Sequence, residues 1–129
     1  MADVKSIVII EDESALLDSY SEVLQTAGYT TVKCTDGYKG LESLKKSHDS
    51  VSLILLDLMM PGIDGLEVLR TIKSDKDTYG NSPIVVLTNM TSDKVIKEAF
   101  DLGAVSYLIK SELEYTDLIN EVKKILGDK

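Results

Sequence analysis

Ser52-Leu53-Ile54-Leu55-Leu56-Asp57-Leu58-Met59-Met60-Pro61-Gly62-Ile63-Asp64-Gly65 is the stretch that decides how this chain folds. An apolar run ends in one carboxylate, and a Pro/Gly loop follows. A strand with apolar residues on both faces belongs in a parallel sheet covered by helices on either side. Asp57 stands where that strand runs out. Ligands of open α/β sheets bind outside the carboxyl ends of the strands, so a lone acid there reads as a site.

The same grammar repeats along the 129 residues. Lys5 to Ile10 reads as a first strand, apolar and β-branched, ending in Glu11-Asp12-Glu13. From Ser14 the period turns helical, with Leu17, Tyr20, Leu24 and Ala27 recurring, and Gly28 closes that helix. Tyr29 to Thr35 is a second strand, whose weaker alternation places it towards one side of the sheet. Asp36-Gly37 turns the chain into a short helix marked by Tyr38, Leu41 and Leu44, with His48 in a polar, solvated loop after it.

Val51 to Asp57 is the third strand, and Asp64-Gly65-Leu66-Glu67 opens a third helix as a capping box. Asp75 to Ser82 reads as a polar loop, and Pro83 introduces a fourth strand ending at Thr88-Asn89. Thr91-Ser92-Asp93 caps a fourth helix whose apolar face is Val95, Ile96, Ala99, Phe100 and Leu102, closed by Gly103. Val105 to Ile109 is the fifth strand and ends in Lys110. The last helix carries Leu118, Ile119, Val122, Ile125 and Leu126, and begins either at a Ser111–Glu114 box or at Thr116.

Five strands alternating with five helices predict an α/β fold: a doubly wound (βα)5 three-layer sandwich over residues 1–129, one domain. Right-handed crossovers favour the flavodoxin-like parallel order 2-1-3-4-5. Strands one and three are then neighbours, and Glu11, Asp12 and Asp57 meet above the sheet. Thr88 comes from the next strand end and Lys110 from the one beyond.

Composition narrows the function classes. A formal charge of −8 disfavours direct binding to nucleic acid or to an anionic membrane. No stretch approaches the roughly 20 apolar residues of a membrane span. No signal-peptide pattern opens the chain, so the expected location is cytoplasmic. The single cysteine, Cys34, reads as a core residue. No Gly-x-Gly-x-x-Gly or Walker motif is present, and the first loop is acidic, which argues against a nucleotide or flavin.

Three crowded carboxylates repel one another, and one is pushed to hold a proton unless a cation intervenes. An all-oxygen donor set suits Mg²⁺ and disfavours Zn²⁺. A metal leaves Thr88 and Lys110 unexplained. A hydroxyl and an ammonium at two further strand ends suit an anion approaching Asp57, the simplest being a phosphoryl group carried by Asp57 itself. Taken singly, Glu11 or Asp12 reads as a helix-cap acid, Thr88 as a turn residue and Lys110 as a solvated lysine. Their joint placement at strand ends is what points to a site.

Those residues carry a family resemblance. Glu11-Asp12, Asp57 followed by Met60-Pro61 and Gly65, then Thr88, Tyr107 and Lys110 resemble the receiver domains of two-component response regulators, over essentially the whole chain. The layout is most similar to the stand-alone chemotaxis-regulator-like members. The resemblance implies a phosphorylation-activated switch with Asp57 as phosphoacceptor. It implies that Mg²⁺ is held by Glu11, Asp12, Asp57 and the backbone carbonyl of Met59, with Thr88 and Lys110 on the phosphoryl oxygens. The expected phosphodonor is a sensor histidine kinase, a histidine phosphotransfer protein or a small molecule. Thr88 and Tyr107 would relay the change to the surface of the fourth helix, fifth strand and last helix, where an output protein binds. The expected state is a monomer or a phosphorylation-dependent dimer.

Such a domain catalyses its own phosphotransfer and its own dephosphorylation, which apolar Met59 and Met90 should make slow. The alternative reading is a receiver-like adaptor that docks without modification. A phosphohydrolase of related architecture needs a second acid two residues after the nucleophile, where this chain has Met59.

Three positions depart from the family pattern. Glu11 stands where Asp is commoner, a longer arm able to reach a cation through a water. Ser111 follows Lys110 in place of the usual proline, leaving the peptide geometry there open between trans and strained. Asn89 follows Thr88 where a smaller residue is common, which narrows access to Asp57.

Overall fold

The computed structural model describes residues 4–129. Its strands are β1 (Ser6–Ile10), β2 (Thr30–Cys34), β3 (Val51–Leu56), β4 (Ile84–Thr88) and β5 (Ser106–Ile109). They form one parallel sheet in the order β2-β1-β3-β4-β5, as expected. The principal helices are α1 (Ser14–Thr26), α2 (Gly37–Ser47), α3 (Gly65–Ser74), α4 (Asp93–Asp101) and α5 (Tyr115–Leu126).

Period-two side-chain direction splits the continuous apolar runs between two cores. Val8, Ile10, Ile54, Leu56, Ile84 and Val86 face one layer, shared with Val68, Leu69 and Ile72 of α3 and Ala99 of α4. Ile7, Ile9, Leu53, Leu55, Val85 and Leu87 face the other, shared with Leu17 and Leu24 of α1 and Leu118 and Val122 of α5. Helices on both faces are therefore required, because no face of the central strands is polar. β2 lies at an edge with mostly unburied residues, consistent with its weak alternation. Cys34 is buried in the first core, which pushes its thiol up to about 11 and leaves it a packing residue.

Several local expectations are corrected. Asp75 to Ser82 is not all loop: Lys76–Tyr79 forms a helical turn, because Asp75 caps it through its Oδ1 and Oδ2, which accept from the Thr78 amide at 3.2 Å and the Thr78 hydroxyl at 2.7 Å. Tyr79 then packs against the core. Tyr38 is 64% exposed and is not part of the inward stripe of α2. The close face of α2 is Gly40, where a Cβ would stand 2.3 Å from Ile10 Cδ1. Phe100 is 45% exposed, because Val95, Ala99 and Leu102 take the inward side of α4. His48 is half-buried against Gly80 instead of solvated. Ser92 occupies the N-cap of α4 without a side-chain bond.

Neither expected start of the last helix holds. Glu114 is the N-cap, in a reciprocal box with Asp117, and the Glu114 amide donates to Asp117 Oδ2 at 2.9 Å. Asp64 does cap α3, accepting from the Glu67 amide at 3.0 Å, while the Glu67 carboxylate turns instead to Arg70. Gly28 follows α1 with φ +102°, as a left-handed helix stop requires.

Candidate functional site

Sheet register assembles the site. Ile10 pairs with Leu56 across β1 and β3, so Glu11 and Asp57 leave the sheet side by side. Backbone bonds hold both: the Glu11 amide donates to Cys34 O and the Asp57 amide to Ile10 O, each at 3.0 Å. Thr88 pairs with Ile109 across β4 and β5, so Lys110 emerges just beyond Thr88. Ligand oxygens of Glu11, Asp12 and Asp57 all lie within 4.8 Å of one another. The expected acidic cluster is therefore present.

Most of its side chains are buried, Asp12 only partly. Glu11 and Asp57 are 2% and 5% exposed, and Thr88 is 1% exposed. The Lys110 ammonium donates to Glu11 Oε1 and, at 3.2 Å, to Asp57 Oδ2. The Met59 amide donates to Asp57 Oδ1 at 3.2 Å, although the Met59 side chain is 62% exposed. Asp57 is thus gripped through both oxygens. Thr88 lines the same cleft as Asp57 and Lys110, a space of about 250 Å³, and its hydroxyl accepts from the Met90 amide at 3.4 Å. The Tyr107 hydroxyl donates to the Met90 carbonyl at 2.8 Å, and its ring lies 6.5 Å from that of Phe100.

Two backbone-to-side-chain bonds of the site have no signal in the sequence. The Glu13 amide donates to Glu11 Oε2 at 3.1 Å. The Ser111 amide donates to Asn89 Oδ1 at 2.8 Å. All peptides of the described residues are trans, which settles the geometry at Lys110–Ser111. An Asp or Asn at a strand end is too common a turn residue to flag such a bond from sequence.

Burial pushes the Glu11 carboxyl up to about 7, with the Asp57 charge adding to the rise and Lys110 and the Glu13 amide opposing it. Burial also works against the charge of Lys110, but Glu11 and Asp57 hold its ammonium net above the ordinary lysine value. The consequence for stability has a definite sign. Folded Glu11 keeps its proton up to about 7, while the unfolded chain releases it near 4.5. Between those values the folded state binds more protons, so stability from this group falls as pH rises. The urea midpoint of the metal-free protein is expected to fall from pH 5 to pH 8, with a shallower slope in Glu11→Gln. Equal slopes in the two proteins would contradict the assignment.

The site fits a hard divalent cation. Three oxygen ligands converge and only one ammonium, Lys110, is bonded to them, so negative charge is in excess. Among the described residues no helix is long and apolar enough to cross a membrane.

Comparison with known proteins defines the class. Residues 7–123 match the family model of the response regulator receiver domain. The chain belongs to that family, whose members are phosphorylation-dependent signalling modules. It is 31% identical over 124 residues to the transcriptional regulatory protein CrdR of Helicobacter pylori, covering 96% of this chain and 56% of that protein. It is 27% identical to the polar-differentiation response regulator DivK of Brucella ovis, covering 96% of this chain and 98% of that protein. The chemotaxis protein CheY4 of Vibrio cholerae superposes with a TM-score of 0.86 at 25% identity, over 96% of this chain and all of that one. Other curated relatives are longer, and the chain spans only 19% and 49% of two of them.

Proposed function

We propose that this protein is a phosphorylation switch with Asp57 as phosphoacceptor. The observation that carries the reading is the grip on Asp57: a buried carboxylate bonded through one oxygen to the Met59 amide and through the other to Lys110. A carboxylate oxygen of Asp57 attacks the donor phosphorus. The new O–P bond forms as the donor's P–N or P–O bond breaks, and the leaving group departs with the bonding pair. Such a transfer needs alignment and charge neutralisation more than acid–base chemistry. Lys110 and Thr88, both lining the cleft over Asp57, would contact the transferred oxygens.

Glu11, Asp12, Asp57 and the Met59 carbonyl would hold Mg²⁺. When bound, the ion would neutralise charge on the phosphoryl oxygens. The donor is a sensor histidine kinase, a histidine phosphotransfer protein or a small phosphodonor. The added charge and acceptor oxygens would draw on Thr88 and on the Met90–Tyr107 bond, altering the α4-β5-α5 surface that an output protein reads. We place the protein in the cytoplasm, as a monomer or a dimer formed on phosphorylation.

Intact mass after treatment with phosphoramidate or acetyl phosphate and Mg²⁺ tests this. The gain of one phosphoryl group is expected, mapping to the peptide that contains Asp57 and absent in Asp57→Ala. An adaptor that docks unmodified would gain no mass under any donor.

Dephosphorylation should be slow. Met59 and Met90 line an apolar cavity of about 420 Å³ beside the site. Neither can orient an attacking water. Met59→Asn or Met90→Glu is expected to shorten the half-life of the Asp57 phosphate by roughly tenfold or more, part of the larger gain that full acid–base assistance supplies. Decay followed by intact mass checks this, and unchanged half-lives in both variants would refute it.

A further inference from the structure

Asn89 directly follows Thr88 at the end of β4, and Ser111 directly follows Lys110 at the end of β5. The Ser111 amide donates to Asn89 Oδ1 at 2.8 Å. One residue further along the same loop, the Met90 carbonyl accepts from the Tyr107 hydroxyl at 2.8 Å. The β4–α4 loop is therefore tied to the end of β5 at two points, and Lys110 lies between them in sequence.

Lys110 needs such anchorage. Residues Lys110–Glu112 form a single 3₁₀ turn, whose own backbone bond, from the Leu113 amide to Lys110 O, is long at 3.4 Å. The Lys110 side chain is 9% exposed and reaches two buried carboxylates. A long lysine side chain gives up much rotamer freedom when fixed. Where its backbone is held decides whether the ammonium arrives over the acids. The donor exists because residue 111 is serine and carries an N–H, and the acceptor exists because residue 89 offers a carboxamide oxygen.

We infer that Asn89 is a positioning residue: its carboxamide oxygen holds the Lys110–Ser111 peptide so that the Lys110 ammonium rests against Glu11 and Asp57. The kinetic consequence, a faster transfer to Asp57, rests on the phosphoacceptor reading above. The placement of Lys110 does not. A competing role is steric, because Asn89 also lines the cleft over Asp57. Relief of crowding would act on Asp57 with or without Lys110.

Phosphorylation over a phosphoramidate series with Mg²⁺, read by intact mass, separates these roles. Asn89→Leu is expected to lower the plateau rate roughly three- to tenfold, the range of one neutral hydrogen bond, with the half-saturating donor concentration unchanged. Asn89→Asp keeps an acceptor and should retain the wild-type plateau. In a Lys110→Ala background Asn89→Leu should have no further effect. A change that persists there assigns Asn89 to access and overturns the inference.

A second readout is independent of phosphorylation. The ε-methylene proton resonances of Lys110, identified by their loss in Lys110→Ala, should move in Asn89→Leu towards those of solvated lysines. Resonances that stay in place overturn the inference. If the wild type takes no phosphoryl group, the proposed function fails while the resonances still decide the placement of Lys110.

Discussion

Lys110→Ala is expected to destabilise the metal-free protein by about 3–5 kcal/mol at pH 8, the usual cost of removing one partner of a buried ion pair. The ammonium is bonded to Glu11 and to Asp57, and both are nearly inaccessible to water. Without it Glu11 and Asp57 are left buried with no counter-charge, so Glu11 must either stay ionised beside Asp57 or take up a proton at pH 8. The loss has a pH signature. Lys110 lowers the pKa of Glu11, so its removal lifts that carboxyl further above about 7. A protonated Glu11 needs no counter-charge, so the destabilisation should shrink towards pH 5.5. Millimolar Mg²⁺ should restore part of the loss at pH 8, because a ligand that binds only the folded state stabilises it by mass action. Urea unfolding at both pH values, with and without Mg²⁺, measures all of this. A loss independent of pH and of Mg²⁺ would mean that Lys110 matters only for the packing of its aliphatic stem.

Gly65→Ala is expected to damage the site more than its single methyl group suggests. A Cβ there would stand 2.3 Å from the carbonyl oxygen of Asp57 and 2.5 Å from the Cα of Leu58. Both are backbone atoms, and the Gly65 amide is itself bonded to Leu58 O at 3.0 Å. No rotamer change relieves the contact, so the loop between β3 and α3 must move. Overpacking of this kind costs about 1–3 kcal/mol, and more where backbone must shift. The movement would fall on Asp57 itself. Phosphoryl uptake by intact mass should therefore drop in Gly65→Ala even at temperatures where urea unfolding shows the protein folded. Full uptake together with wild-type stability would show that this loop yields freely.

Much of the architecture is legible in local sequence. Apolar runs such as Ser52–Leu56 and Ile84–Leu87 have no polar face, so they can only be central strands between two helical layers. Acids, a threonine and a lysine at the ends of four such runs become neighbours once the strands are ordered. Tyr38 and Phe100 turn outward, because apolar identity near a helical stripe does not specify which residue turns inward. The helical turn at Lys76–Tyr79 and the Glu114–Asp117 box leave no clear mark in the sequence, because short caps look like ordinary polar loops.

The strand and helix alternation, the parallel sheet and the set of acids at its carboxyl edge can be read from the residues alone, because hydrophobic period and strand-end position are local properties. The electrostatics of the cluster come from the packed fold: the Glu11 carboxyl pushed up to about 7 by burial, Lys110 shared between Glu11 and Asp57, and Ser111 held by Asn89. Those features depend on depth and on contacts between residues 22 to 99 positions apart in the chain, which no local pattern encodes.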